Sequence, residues 1–311
     1  MNGIAARPLT RSGAALRTVA VGAGIVVAGV GAALTYHLYE NAVHQSITLV
    51  WYDWFDTNVH RWLVLPLTLV LTLMFFGLQH YLDPKSETHE EQGLGEMPAP
   101  SVWHYVRVLL IGYFSLLAGA VLGPEAILVP ACTLLGAYVG SRAFADQRIT
   151  RLLAAAGFMA LFTAFFDSFL VGVLSMALVM KQARVRFEPV LLLTAVVASA
   201  SSYVTLQLVE GHALARLPAY SWVLSFKDVL LCLVLVIAGY GMTAGIAGAH
   251  QVFGRIGRIA RGTNWWWHAL VAAAGIAALY LIGGNLVEFT GNASIVPMFK
   301  QAAHLGFAGL I

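Results

Sequence analysis

The chain has 311 residues, of which 59% are hydrophobic and only 11% are charged, with a formal net charge of +3. Its mean hydropathy of +0.77 is typical of a protein that lies mostly within lipid. The composition excludes a soluble globular domain, and the small net charge argues against a nucleic-acid partner. We therefore predict an all-α, multi-pass protein of the plasma membrane.

Apolar runs mark the predicted membrane segments. They fall at roughly 18–38, 62–82, 105–122, 126–140, 152–166, 168–181, 188–208, 225–250 and 266–284. A helix needs about 20 residues to cross a bilayer, so the runs at 126–140, 152–166 and 168–181 are too short for comfortable spans. They predict half-helices, re-entrant segments or strongly interrupted spans, as in transporters that build a site from helix ends.

Basic residues predict the topology. They concentrate in four segments, at 7–17, 142–151, 181–186 and 255–261. The positive-inside rule places all four in the cytoplasm. Residues 1–17 are therefore predicted to be a cytoplasmic N-terminal segment, and residues 18–311 a single transmembrane domain. Aromatic residues after the first run predict an outer interfacial loop: Trp51, Tyr52, Trp54 and Trp62.

Several other features predict packing rather than chemistry. Cys132 and Cys232 lie in apolar runs and are interpreted as small packing residues, not as a disulfide or a metal pair. Gly241 and Gly245, like the glycines of the first run, have the spacing of close helix contacts. The polar stretch 83–100 is interpreted as a solvated loop. No metal and no cofactor is predicted.

One glutamate lies between two apolar runs in the segment 111–130. A carboxylate deep in a membrane costs about 3 kcal/mol or more, so Glu125 needs a water-lined cavity or a partner. Gly123 and Pro124 end one helix and start another, which leaves backbone N–H groups free at the break. A helix N-terminus with free N–H groups stabilises an anion.

These observations predict an anion site with an acidic gate. The backbone at Gly123, Ala126 and Ile127 is predicted to hold the anion. Glu125 would compete with the anion for the same donors, and would vacate the site when protonated or swung aside. The alternative is that Glu125 only caps the new helix, or lies at a shallower depth.

Three segments in order resemble the CLC family of chloride channels and proton/chloride antiporters. Residues 123–127 (GPEAI) occupy the place of the family's G-(K/R)-E-G-P motif, but lack its basic residue and its second Gly-Pro. Residues 166–175 (FDSFLVGVLS) follow the rhythm of F-N-A-P-L-A-G-x-L-F. Residues 224–245 are similar to the family's S-x-K-D-L-L…G-x-x-A-G-x-x-G segment.

The resemblance implies a CLC-like bundle of tilted and broken helices. CLC proteins contain two inverted halves and form homodimers with a separate pore in each subunit. This chain would hold the first half and the opening helix of the second half, near 265–287, so we expect a truncated or divergent member. The resemblance also implies chloride, or another small anion, as the transported partner.

Two positions depend on this alignment. Asp167 replaces the family's asparagine at a helix start, so Asp167 and Ser168 are predicted to begin a helix, Asp167 either capping it or facing a pore. The antiporters of the family carry a second glutamate that would fall at Leu178 or Val179. Neither side chain can carry a proton, which favours a passive conduit over proton-coupled exchange.

Three functions are therefore considered. The leading hypothesis is a chloride channel-like transport protein gated by Glu125, and not an enzyme. The second is a non-conducting or partner-dependent half-transporter. The third is an intramembrane enzyme that uses Glu125, Asp167 and a histidine, although no hydrolase or metalloprotease motif is present.

Overall fold

The structure, a computed structural model, describes residues 11–83, 100–120, 123–183, 187–210, 225–260, 264–283 and 288–289. The polar stretch 84–99 and the first ten residues of the predicted N-terminal segment lie outside them. The helices are α1 (Arg11–Ile47), α2 (Val64–Leu82), α3 (Val102–Leu117), α4 (Glu125–Ala143), α5 (Gln147–Phe165), α6 (Phe169–Leu174), α7 (Met176–Ala183), α8 (Pro189–Glu210), α9 (Phe226–Ala260) and α10 (Trp265–Gly283).

Seven helical stretches in the described residues are long and apolar enough to cross a membrane. The prediction of an all-α polytopic membrane protein is therefore confirmed. The prediction of half-helices is wrong for α4 and α5, which have 19 residues each. Both helices continue beyond their apolar runs into polar ends, at Ser141–Arg142 and at Gln147–Arg148, which an apolar run does not include.

The predicted interruption is present after α5. The apolar run 168–181 forms two short helices, α6 with six residues and α7 with eight, on either side of Ser175. The Ser175 hydroxyl donates to the Gly172 carbonyl at 2.7 Å, and the amide of Leu178 donates to the Ser175 carbonyl at 2.9 Å. These short bonds turn the chain between the two pieces.

Small residues allow the central helices to pack closely. Most of α5 is buried, and a C-β atom added at Gly157 would lie 2.1 Å from the Cys132 carbonyl oxygen of α4. A C-β atom at Gly136 of α4 would likewise lie 2.0 Å from the Leu153 carbonyl oxygen. The two helices therefore contact each other backbone to backbone, as small residues permit in membrane bundles.

We expect Gly157→Ala to lower the free energy of unfolding by about 1–3 kcal/mol, because the new methyl group meets rigid backbone. Reversible unfolding in mixed detergent measures this loss. Gly275→Ala is the matched control, since nothing lies within 4 Å of a C-β atom at that helical glycine. Equal stability of the two variants would contradict the close contact.

Two of the basic segments are joined at one end of the bundle through Arg17. The Arg17 guanidinium lies 2.6 Å from the Asp146 carboxylate, in the turn between α4 and α5. The backbone N–H of Arg148, and then Arg17, hold the pKa of Asp146 below its ordinary value. Arg17 and the turn after α4 therefore lie on the same side of the membrane, as predicted. That this side is the cytoplasm stays a prediction. The bounds of the N-terminal segment (1–17) and of the transmembrane domain (18–311) also stay predictions.

Residues 212–267 form a second compact unit, of which α9 is the main described part. The Asp228 carboxylate accepts hydrogen bonds from the amide and the hydroxyl of Ser225 and so caps α9. Side chains from 229 to 248 are exposed, and nothing lies within 4 Å of a C-β atom built at Gly241 or Gly245. The predicted close contact at these glycines is not made by the described residues.

Candidate functional site

The site begins where α4 begins. Pro124 is the buried N-cap residue and Glu125 is the first residue of the helix. The amide of Ala126 donates to the Gly123 carbonyl at 3.1 Å, and the amide of Ile127 donates to the Pro124 carbonyl at 3.1 Å. The first turn is thus closed by short-range bonds between residues three apart, which have poorer geometry than α-helical bonds.

These bonds change the expected set of anion donors. The amides of Ala126 and Ile127 already have carbonyl partners. Among the described residues, no backbone acceptor engages the amides of Gly123 and Glu125. The Ile127 side chain is buried against Gly112 of α3, where a C-β atom would lie 2.4 Å from the isoleucine. Ile127 therefore also anchors the start of α4 to α3.

The Glu125 carboxylate folds back over Gly123. A C-β atom at position 123 would lie 2.0 Å from both carboxylate oxygens, so a larger residue there would displace the flexible glutamate side chain. Glu125 is exposed, and no side chain caps this helix end with a hydrogen bond. In the described part of the chain no hydrogen bond reaches its carboxylate; the choice between a gate and a cap at Glu125 stays a prediction.

The second predicted helix start differs in one detail. Ser168 is the N-cap of α6, because it has extended backbone angles and its hydroxyl accepts from the Val171 amide. Asp167 does not cap α6. Its φ of 44° is in the left-handed region, which aspartate tolerates, and its carboxylate accepts from the Gln207 side chain of α8 at 2.9 Å.

Four carboxylates from separate parts of the chain are grouped around Tyr36 and Glu40 of α1 and form what we call the acidic patch: Glu40, Glu125, Asp167 and Glu210. The carboxylates of Glu125 and Glu210 are close enough to Glu40 to interact with it electrostatically. Tyr36 lies one turn before Glu40 on α1. It interacts electrostatically with the carboxylates of Asp167, Glu40 and Glu210. The structure thus brings the two predicted acids, Glu125 and Asp167, to the same end of the bundle.

Sequence reasoning missed the contribution of α1 and α8 to this patch. His37 of α1 pairs with Glu210 of α8 at 2.8 Å, and Asn41 contacts the same histidine. One carboxylate oxygen of Glu40 is buried without a hydrogen-bond partner. The available signal was the spacing of polar residues three and four apart at 36–41, which places them on one helix face just past the first apolar run.

The remaining positions singled out in the sequence can also be located in the structure. Leu178 is 44% exposed and Val179 is buried, both on α7. For the enzyme hypothesis, His104 is buried beside Arg107 on α3. The described residues contain no group of three side chains that could hold a metal ion. Cys132 is buried and Cys232 exposed, and both are free thiols.

The fold is similar to a solved transporter structure. That structure is described as a slow cyanobacterial Cl−/H+ antiporter; it aligns with a TM-score of 0.68 and 21% sequence identity. The alignment covers 90% of this chain and 67% of that chain. The likeness shows a CLC-like fold. No protein-family model matches the chain, and no curated protein matches it.

Proposed function

We propose that this chain transports a small anion, with chloride as the default ion and Glu125 as the gate. The position of Glu125 carries the proposal. It is the first residue of a 19-residue apolar helix, and its carboxylate lies over a glycine rather than in a hydrogen bond or ion pair with the described residues. The CLC-like fold supports the same function.

The gate would act by competition at the start of α4. An ionised carboxylate lies in front of the helix N-terminus, where an anion would otherwise be stabilised. A neutral carboxyl group, or one that swings away from Gly123, leaves that position to the anion. The amides of Gly123 and Glu125 are the first donors, and those of Ala126 and Ile127 join if their weak first-turn bonds lengthen. Such binding is weak enough for the ion to leave.

Chloride efflux from liposomes tests this function. Purified protein is reconstituted in vesicles loaded with chloride, a potassium ionophore removes the membrane potential, and protein-free vesicles serve as the control. We expect efflux that rises as the pH falls, because protonation neutralises Glu125. Absence of efflux from folded protein at every pH would refute a self-sufficient conduit.

We expect chloride to move without coupled protons. The position that corresponds to the family's second glutamate is Leu178 or Val179, and α7 carries no acidic side chain from Met176 to Ala183. Recording the external pH during efflux measures proton uptake directly. Proton uptake in fixed ratio to chloride movement would contradict the passive conduit and favour exchange.

A partner-dependent transporter is the second candidate. The apolar window of α9 has no buried residue, and its glycines lie open. A second copy of the chain, as the CLC resemblance implies, is our proposal for the covering partner in a plasma-membrane homodimer with a cytoplasmic N-terminus. Cross-linking through Cys232, which is exposed on α9, distinguishes a dimer from a lipid-covered monomer.

A further inference from the structure

A buried aromatic cluster holds the end of α3, just before the site. We call it the aromatic clamp; its members are Trp51, Tyr280 and Phe289, whose rings lie 5.0–5.8 Å apart. Trp51 was predicted to lie in an interfacial loop, but it is fully buried. The tryptophan lies in a π-helical turn (Thr48–Trp54) that continues α1, and the other two residues lie on and just after α10.

The clamp bonds to two carbonyls, one at the end of α3 and one two residues beyond it. The Trp51 indole N–H donates to the Leu117 carbonyl at 2.9 Å, and the Tyr280 hydroxyl donates to the Gly119 carbonyl at 2.8 Å. Gly119 has a φ of 91°, and a C-β atom there would lie 3.0 Å from the tyrosine hydroxyl. These bonds satisfy carbonyls that a helix end leaves without intrahelical partners. Gly119 precedes Gly123 by only four positions.

A buried ion pair fixes the clamp in turn. The Arg61 guanidinium lies 2.7 Å from one oxygen of Glu288, whose side chain is only 1% exposed, and it also donates to the Tyr280 carbonyl. The Tyr52 hydroxyl donates to the other oxygen of Glu288 at 3.1 Å. The amide of Phe289 donates to the Tyr280 hydroxyl at 2.7 Å. The Tyr280 hydroxyl therefore donates one hydrogen bond, to the Gly119 carbonyl, and accepts another, from the Phe289 amide.

We propose that Tyr280 is a positioning residue for Glu125: its hydroxyl fixes the end of α3 and thereby sets where the chain enters α4. This inference rests on the proposed function. It gives α10, the predicted opening helix of the second half, an indirect part in the site. Tyr280 bonds to Gly119, four positions before Gly123, and not to Glu125, so its effect on the carboxylate is indirect.

Tyr280→Phe tests the proposal because it removes the hydroxyl and keeps the ring. We expect efflux at neutral pH to change about fivefold, the equivalent of one hydrogen bond of about 1 kcal/mol, and the pH of half-maximal efflux to shift. Tyr81→Phe, on an exposed tyrosine, is the matched control. An unchanged rate and pH profile in Tyr280→Phe, with active wild-type protein, would overturn the positioning role.

Hydrogen–deuterium exchange separates this inference from the proposed function, since it needs no transport. We expect faster exchange of the amides at 117–128 in Tyr280→Phe, and in Trp51→Phe, which removes the indole donor and serves if the first variant folds poorly. Unchanged exchange in both variants would overturn the proposal even if chloride transport is confirmed. Faster exchange in an inactive wild-type background would support the clamp and refute only the transport function.

Discussion

Replacing Glu125 with glutamine is expected to raise chloride efflux at neutral pH about tenfold and to remove most of its pH dependence. In favourable geometry a negative charge at a helix N-terminus is stabilised by the helix dipole by about 1–2 kcal/mol. An ionised carboxylate that takes this position therefore lowers the occupancy of the anion about tenfold. Glutamine keeps the size of the side chain and lacks the charge. Stopped-flow efflux from liposomes, with wild type and variant at acidic and neutral pH, measures both effects.

The control for this variant is Glu188→Gln, the same change at an exposed acid before α8. It should leave the rate and its pH dependence as in wild type. Glu125→Ala adds a second arm, because it also removes the side chain that lies over Gly123. A pH profile in Glu125→Gln identical to that of wild type would mean that another acid gates the protein, and Glu40 of the acidic patch would be the next residue to replace.

Arg61→Ala is expected to lower the free energy of unfolding by about 3 kcal/mol, the lower end for a buried ion pair because the Arg61 side chain is 28% exposed, and because the change leaves the buried Glu288 carboxylate without its cation. The Glu288 carboxylate is almost completely buried, and Arg61 also bonds to the Tyr280 carbonyl. Reversible unfolding in mixed detergent measures the loss. Arg151→Ala, on an exposed arginine of α5, should change stability by much less.

A second variant separates charge from geometry at this pair. Arg61→Lys keeps a positive charge near Glu288 but loses the planar guanidinium that reaches two acceptors at once. We expect an intermediate loss of stability. Wild-type stability of Arg61→Ala would contradict the buried pair and, with it, the fixed position of Tyr280.

The start of α4 was predictable because its signals are local. Proline just before Glu125 favours a helix start whatever the rest of the fold does. The predicted end of the preceding helix at Gly123 was wrong, because α3 already ends at Leu117, two residues before Gly119 with its φ of 91°. The acidic patch was not predictable, since Glu40, Asp167 and Glu210 come from separate elements. They meet only because helices pack through close contacts such as Gly29 of α1 against α8, where a C-β atom would lie 2.8 Å from the Ala198 carbonyl.

Other differences have similar physical causes. Hydropathy marks the lipid-facing length of a helix and not its hydrogen-bonded length, so α4 and α5 extend past their apolar runs. At the start of α6, Asp167 and Ser168 are both residue types that can cap a helix. Ser168 is the cap because its backbone is extended, whereas Asp167 has a φ of 44°. Trp51 is an ordinary interfacial residue by type, and only its distant partners on α3 and α10 bury it.

The bond between Tyr52 and Glu288 joins residues 236 positions apart. At a synthesis rate of about 5–20 residues per second, the ribosome adds the glutamate roughly ten to fifty seconds after the tyrosine. The end of α3 lacks its Tyr280 hydrogen bond until residue 280 is added, and by then α1 to α8 have already been made. A newly inserted chain therefore passes through a stage in which α1 to α8 are present but the end of α3, just before the segment that carries Glu125, is not yet held by Tyr280.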